Sequence, residues 1–463
     1  MANNTGTLHS YNVDQTGNTV PSAVGASADL RRIHNFGDRV AELSPEESPF
    51  FVYLNKVAKV PTNDPVFRFL ENRSKVDWTS RNFFVNTDGS GSALTNVTAG
   101  STNDIYVETA VDSTVAVDWL VKGMVFAVET DKTAQSQVIF RIEGVDVQSN
   151  ETKLTAKCIS LSASASDATN YNDIANEDEC QVIGTSFGEG TGSPDVWSSQ
   201  LDDDFGYTQI FKTAAEMTNT AIATNYRGYA NEWQRIWNLK LREHKVDIER
   251  AMLFSMRARQ DSVQYSEGIV GHILANNASV VAAGSASYTA GSAYMLSSAI
   301  GTLTYDNLLS DFETIFDPAR GGNKSKLGLA SRPVISYLNK VGATSFIDGS
   351  LDATNTQNRY NFDAIQREGS FGHSIMQINT VHGDLSVVQE PMFRGIASGY
   401  LAMVDLDHVA YRPLVGNGLN RDTHIITNVQ QADEDLRKDM IVTEAGLEIT
   451  IPETHALYAF TDI

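Results

Sequence analysis

Apolar residues recur at three- and four-residue spacings along residues 228–259, and this pattern predicts one long helix. The stripe consists of Tyr229, Trp233, Trp237, Leu241, Ile248 and Met252. Charged side chains, Glu249 among them, are expected on the other faces. At 1.5 Å per residue the helix would be about 48 Å long, a length that suits a flat domain better than a small globular core.

Short apolar runs separated by turn residues occupy residues 100–190 at intervals of about ten residues. They lie at 105–107, 115–117, 124–128, 138–142 and 153–156. Regular short strands of this kind predict a small β-barrel or sandwich. Residues 57–84, which precede the module, are expected to be extended.

The second half of the chain mixes helix and strand signals. Thr304 is placed to cap a helix that ends before Pro318, and residues 333–341 predict another short helix. Residues 278–301, rich in Ala, Ser and Gly, are expected to form a loop. Strands are predicted at 374–379, 385–389, 400–404, 409–412, 425–429 and 441–451. The fold class is therefore α+β.

Composition narrows the class of protein. The chain has 463 residues, enough for about two to four domains. Its 57 acidic against 35 basic residues give a net charge of −22, which argues against a protein whose main work is binding nucleic-acid phosphates. Cys158 and Cys180 are too few for a disulfide framework or a four-thiolate zinc site, and two free thiols are favoured over one bridge. The sequence contains no signal peptide and no run of 18 apolar residues, so an intracellular protein without a membrane span is expected.

The sequence offers no catalytic, cofactor or metal constellation. Residues 322–325 lack the glycine that a phosphate-binding loop needs directly before its lysine, so a polar loop is favoured. Asp202-Asp203-Asp204 lacks the alternating oxygen pattern of a calcium loop, which leaves a solvated turn as the preferred interpretation. His373 and His382 are more simply two unrelated polar residues, and His455 is expected to be packed in the core. We therefore predict no enzyme activity, no cofactor and no metal.

Several motifs resemble those of tailed-bacteriophage major capsid proteins, in the same order along residues 30–463. They are Ser44-Pro45 with Pro49-Phe50 and the extended basic segment that follows, Gly268–Ile273 after the long helix, Asn379–Leu385, Thr443–Ile449 and Thr454–Ala456. Residues 100–190 depart from the minimal capsid pattern and are interpreted as an insertion.

The resemblance implies the Hong Kong 97-type capsid fold, with an N-terminal arm, an extended loop, a long spine helix, peripheral and axial domains and an inserted small β-barrel-like module. The implied parts are the arm at 1–50, the extended loop at 51–205 with the module at about 100–190, the peripheral domain at 206–265 with the spine helix at about 228–259, the axial domain at 266–385, and late strands at 386–463 that return to the peripheral domain.

The resemblance also implies a function. The chain would be a structural major capsid protein that self-assembles into the icosahedral head shell around the double-stranded DNA genome of a tailed phage. Its partners would be copies of itself in hexamers and pentamers, a portal, and separate scaffolding or decoration proteins. Packaged DNA would lie next to the shell without sequence-specific binding, no membrane would take part, and the virion capsid would assemble in the host cytoplasm.

The extended segment is unusually basic for so acidic a chain. We expect its cations to meet acidic patches of neighbouring subunits, with a solvated strand face as the alternative. The predicted contact residues are Arg68, Arg73, Lys75, Trp78 and Arg81. Phe83 and Phe84 are equally consistent with local packing and with a role as interface anchors.

Three other interpretations remain open at this point. An encapsulin-like nanocompartment shell would share the fold but would enclose protein in place of DNA. A secreted β-rich binding protein is disfavoured by the missing signal peptide and the long charged helix. An enzyme is disfavoured by the missing constellations.

Overall fold

The computed structural model describes residues 50–51, 54, 59–72, 81–86, 94–95, 97–110, 115–131, 136–161, 173–198, 200–226, 231–282, 292–318, 322–347, 364–368 and 374–463. Of the predicted N-terminal arm only Phe50 lies within these ranges. Arg73, Lys75 and Trp78 of the predicted contact lie outside them, as does His373.

The strands of the described residues are β1 (Val66–Glu71), β2 (Asn82–Val85), β3 (Thr102–Glu108), β4 (Met124–Asp131), β5 (Ser136–Val147), β6 (Thr152–Leu161), β7 (Glu179–Thr185), β8 (Asp202–Tyr207), β9 (Gln209–Thr218), β10 (Ala258–Gln260), β11 (Val263–Tyr265), β12 (Asn277–Val281), β13 (Ala293–Ser298), β14 (Ser325–Ala330), β15 (Ala364–Glu368), β16 (Ser374–Asn379), β17 (Asp384–Gln389), β18 (Tyr400–Val404), β19 (Val409–Pro413), β20 (Val415–Gly416), β21 (Leu419–Asn420), β22 (His424–Ile426), β23 (Leu436–Ile449) and β24 (Ala456–Phe460). The α-helices are α1 (Asn219–Ala223), α2 (Glu232–Phe254), α3 (Ile269–Ala275), α4 (Tyr305–Ile315) and α5 (Arg332–Ile347).

The predicted β module is a closed barrel with the strand order β2-β3-β6-β5-β4-β7. Three phenylalanines fill its centre, with the Phe126 ring centroid 5.4 Å from that of Phe83 and 5.5 Å from that of Phe140. Cys158 and Cys180 are buried free thiols in the same core, and burial raises the pKa of both. The prediction of a barrel is confirmed, and Phe83 proves to be a local packing residue.

A two-stranded ribbon carries the barrel. β1 and β8 pair antiparallel from Val66↔Tyr207 to Glu71↔Asp202, and the barrel strands lie between them in sequence. The prediction of a solvated turn at 202–204 is therefore wrong, because these acidic residues are strand residues that pair with β1.

The base of the ribbon packs closely on β23. An added Cβ on Gly446 would lie 2.5 Å from the Tyr207 carbonyl oxygen and 2.8 Å from the Phe67 ring. β23 belongs to the sheet under the long helix. The close contact at Gly446 therefore fixes the position of the base of the ribbon on that sheet.

Gly446→Ala is expected to destabilise the subunit by about 1–3 kcal/mol, because the new methyl group collides with backbone that cannot move aside cheaply. Chemical unfolding followed by tryptophan fluorescence measures the change. Gly192→Ala is the control, since a Cβ there meets open space, and it should leave the stability within about 0.5 kcal/mol of wild type. Equal effects of the two substitutions would contradict the close packing.

The long helix α2 packs on a sheet in which β9 pairs antiparallel with β23 and β23 pairs with β19 and β22. His244 joins the helix to two of these strands. Its Nδ1 lies 2.9 Å from Thr213 Oγ1 on β9, and its Nε2 lies 2.8 Å from Thr443 Oγ1 on β23. Burial lowers the pKa of His244 and favours the neutral ring, which donates to one of these hydroxyls and accepts from the other.

The helix is shorter than the sequence pattern predicts. Asn231 caps it, its side-chain oxygen accepting a hydrogen bond from the Gln234 backbone N–H at 3.2 Å. The described helix has 23 residues, which corresponds to about 35 Å, and Ala258–Gln260 form β10 rather than a last helical turn. Glu249, which was expected on a polar face, is fully buried.

An eight-stranded mixed sheet has the order β12-β13-β24-β18-β14-β17-β16-β15. Apolar residues of α4 and α5 pack against it in one core cluster. Thr304 caps α4 as predicted, accepting from the Asn307 backbone N–H at 3.2 Å. The predicted loop at 278–301 is wrong where it covers β12 and β13. The predicted late strands are confirmed, with β22 ending at Ile426 and β23 starting earlier than expected, at Leu436.

A buried charged pair lies where β14 begins and β18 ends. The side chain of Lys326 on β14 is fully buried, and its Nζ donates to the Thr454 carbonyl at 2.7 Å and lies 3.8 Å from Asp405 Oδ2. That carboxylate oxygen also accepts from the Asn323 backbone N–H at 2.7 Å. His455 is buried beside the pair, its Nδ1 accepting from the Asp405 backbone N–H, which confirms the prediction of a core histidine.

Candidate inter-subunit contact surface

The outer face of the ribbon carries Arg68. Burial alternates along β1, so Phe67 and Glu71 point into the subunit while Arg68 and Leu70 point to solvent. Arg68 Nη1 lies 3.3 Å from Asp203 Oδ2 on β8, and the two side chains are 73% and 65% exposed. An ion pair this exposed contributes little to folding, so both groups can take part in other contacts.

Arg257 holds β8 of the ribbon. Its Nη1 lies 2.5 Å from Asp204 Oδ1 and donates to the Phe205 carbonyl, and its guanidinium carbon lies 4.5 Å from the centroid of the Phe205 ring. Glu267 lies on the other side, 3.9 Å from Nε. Phe205 lies directly opposite Arg68 in the ribbon, so Arg257 holds the strand next to Arg68 and gives the ribbon a defined orientation.

Arg81 lies on the barrel, where it precedes β2 with a positive φ of 47° and its carbonyl accepts a hydrogen bond from the Val182 backbone N–H. It lines a pocket together with Trp119 and Lys122. The structure therefore places the two described cations of the predicted contact, Arg68 and Arg81, on different elements.

A second candidate surface lies on the first half of α2, and no feature of the sequence indicated it. Trp233 and Trp237 stack with ring centroids 6.3 Å apart, and the Arg437 guanidinium lies 4.7 Å from the Trp233 centroid. Neither tryptophan is fully buried, and Leu239 is exposed. Helical periodicity alone cannot separate an apolar stripe covered by the same chain from one that a second copy covers.

The second half of α2 buries a carboxyl pair. Glu249 Oε1 accepts from the Phe50 backbone N–H at 3.0 Å, and Glu390 Oε1 accepts from the Met392 backbone N–H at 3.1 Å. The two carboxyls also interact with each other, and burial raises the pKa of both. The pair therefore holds a proton near neutral pH. It also connects three parts of the chain, namely α2, the segment after β17, and Phe50, the last residue of the predicted arm.

The described residues contain no group of three or more His, Cys, Asp or Glu side chains placed to bind a metal ion. Among them, no helix combines the length and apolar character that a membrane span requires.

The model of the SU10 major capsid protein family matches residues 7–462. The chain therefore belongs to this family, and its function is that of a major capsid protein of tailed phages. The resemblance drawn from the sequence motifs is confirmed.

Among solved structures, a chain from Gordonia phage Cozz is 12% identical, with 97% of this chain and 98% of that chain covered and a TM-score of 0.43. A chain from Microbacterium phage Oxtober96 is 9% identical, with 94% and 98% covered and a TM-score of 0.42. The holo-SrpI encapsulin complex from Synechococcus elongatus PCC 7942 matches at 11% identity, with 56% and 77% covered and a TM-score of 0.36. No curated protein matches the chain.

Proposed function

We propose that this subunit builds the closed icosahedral head shell that encloses the double-stranded DNA of a tailed phage. The main support for this proposal is that the model of the capsid protein family matches residues 7–462. Copies would associate in hexamers and pentamers, whose contacts are heterologous and close by rotation. A portal and separate scaffolding or decoration proteins would complete the head in the host cytoplasm, with DNA held inside without sequence-specific binding.

The fold we propose is the Hong Kong 97 type, with the boundaries implied by the sequence. The ribbon and barrel within 51–205 would be the extended loop, and α2 would be the spine of the peripheral domain at 206–265. Residues 266–385 would form most of the axial domain. The last segment, 386–463, supplies β18 and β24 to the eight-stranded sheet and β19, β22 and β23 to the sheet under α2, which supports a role in both domains.

The basic segment would contact neighbouring subunits. Arg68 supports this proposal because it is exposed on a ribbon whose strand β8 is anchored, and Arg81 because it borders an aromatic pocket. Arg73, Lys75 and Trp78 belong to the same proposed contact by their place in the sequence. A net charge of −22 on every copy makes an acidic neighbouring surface the natural partner of these cations.

Arg68→Glu is expected to lower the yield of closed shells at least tenfold while leaving the thermal unfolding of the subunit unchanged. The charge reversal would repel an acidic neighbour but would remove only a solvent-exposed pair within the subunit. Quantitative electron microscopy and sedimentation of shells measure the yield.

The double swap Arg68→Glu with Asp203→Arg is the matched control, because it keeps an ion pair inside the ribbon. Full recovery of assembly in the swap would mean that only the pair within the ribbon matters, and the proposed contact would then be abandoned.

Electron microscopy of purified native particles, with a nuclease-protection assay on the same sample, tests the function as a whole. Closed icosahedral shells that contain nuclease-protected DNA are the expected result. Small shells filled with protein would point to a nanocompartment instead. A monodisperse monomer under varied salt and pH would overturn the shell proposal.

A further inference from the structure

The barrel carries a pocket of about 370 Å³ on its surface. Its apolar lining includes Trp119, Trp197, Phe187 and Met124, and its charged lining consists of Arg81, Lys122 and Asp195. A volume of this size accommodates one large side chain or a small ligand.

One wall of the pocket is built by the segment that follows β7, and three contacts hold it to the barrel. The Ser186 backbone N–H donates to the Gly123 carbonyl at 2.9 Å, and Arg141 Nε donates to the Ser186 carbonyl at 2.9 Å. Gly123 has a φ of +94°, and a Cβ there would overlap the ring of Phe187. The wall is therefore preformed, which lowers the entropic cost of binding.

The lining has the composition of a protein-binding pocket. Aromatic residues, methionine and arginine are the side chains enriched at the centres of protein interfaces. At the rim, Val196 is 91% exposed and Phe187 is also exposed, although both belong to the segment that forms the wall. Contact with Gly123 covers part of the Phe187 ring, whereas the side chain of Val196 is left to solvent.

The charges of the pocket indicate an acidic partner. Arg81 and Lys122 outnumber Asp195, whereas the chain as a whole carries 57 acidic and 35 basic residues. A second copy of this chain therefore has the complementary charge, and in a shell neighbouring copies are held at a high effective concentration.

We propose that this pocket receives an apolar side chain from an acidic segment of a second copy of the chain. The proposal rests on the assembly function proposed above. It adds that the barrel is itself an assembly element, with Trp119 and Trp197 as the apolar walls and Lys122 as an electrostatic guide at the rim.

Photo-crosslinking tests the proposal. Val196 is replaced by the photoreactive residue p-benzoylphenylalanine, and assembled shells are irradiated, run on a denaturing gel and analysed by mass spectrometry. The expected result is a crosslinked dimer whose second peptide is an acidic segment of the same sequence. Val147→p-benzoylphenylalanine is the control, since this exposed residue at the end of β5 does not line the pocket and should give at least fivefold less dimer.

A second substitution tests the electrostatic part. Lys122→Glu in the Val196 crosslinking variant should reduce the dimer at least fivefold without affecting folding, because Lys122 is exposed. Crosslinks only within one chain, crosslinks to a different protein, or equal dimer from Val147 would each overturn the proposal. Absence of shells from the unsubstituted chain would count against the assembly function, whereas intact shells of the Val196 variant without the dimer would overturn only the role of the pocket.

Discussion

Glu249→Gln is expected to raise the free energy of unfolding by about 3 kcal/mol at pH 7 and to have little effect near pH 4.5. Burial raises the pKa of Glu249 above its usual 4.5, so the folded state binds a proton that the unfolded state releases. Glutamine keeps an oxygen for the Phe50 N–H and a donor for Glu390 but needs no proton. In the wild-type protein, taking up this proton on folding costs about 1.4 kcal/mol for each pH unit above 4.5. The variant avoids that cost.

The sign of the effect comes from the proton balance of the wild-type protein. Between pH 4.5 and the raised pKa, the folded state holds more protons than the unfolded state, so stability falls as the pH rises. In the Glu249→Gln variant the free energy of unfolding should fall less steeply with pH, by about 1.4 kcal/mol per pH unit, which is the contribution of one bound proton.

Urea unfolding of the full chain at several pH values between about 4.5 and 8 measures both quantities. Glu189→Gln is the matched control, because Glu189 is exposed and its replacement should leave the pH profile unchanged. A Glu249→Gln variant that is less stable than wild type at every pH would show that the pair does not hold the proton.

Lys326→Ala is expected to cost about 3–5 kcal/mol, enough to prevent accumulation of folded subunit in most conditions. The substitution removes the donor to the Thr454 carbonyl and leaves Asp405 as a buried carboxylate without its neighbouring cation. Lys326→Met should cost less, because methionine retains much of the apolar stem that packs in the sheet.

A double-mutant cycle with Asp405→Asn separates the ion pair from the packing. The double variant Lys326→Met with Asp405→Asn should lose less free energy of unfolding than the sum of the two single variants, by about 1–3 kcal/mol. Chemical unfolding measures all three values. Lys438→Ala, which breaks an exposed pair with Glu216, should barely change the stability. Strict additivity in the cycle would mean that the charges of Lys326 and Asp405 are not coupled.

The elements that the sequence predicted correctly are those whose signal is local. The barrel strands are short apolar runs separated by turn residues, and the sequence therefore predicted them near their observed positions. The start of α4 was predicted correctly because a capping threonine marks it. The prediction of β12 and β13 as loop failed because Ala, Ser and Gly residues around Val280, Val281 and Tyr294 dilute the strand signal. Pairing of β13 with β24 overrides that weak local propensity.

The candidate sites were harder to predict because they depend on distant partners. Asp204 is a strand residue since β1 and Arg257 lie beside it, and neither is near it in sequence. Glu249 fits the polar face of an isolated helix, yet its true environment is set by Glu390, far along the chain. The pocket on the barrel combines Arg81 with residues up to Trp197, so only the closed barrel brings them together.

The register of the ribbon has a consequence for how such subunits diversify. Glu71 and Asp202 are paired neighbours on adjacent strands, so the chain leaves for the barrel and returns at nearly the same point. A single in-frame deletion between them would leave two antiparallel strands that a tight hairpin can join. The barrel can thus be gained, lost or exchanged by one recombination event, and the same junction offers a place to graft a foreign domain onto the particle.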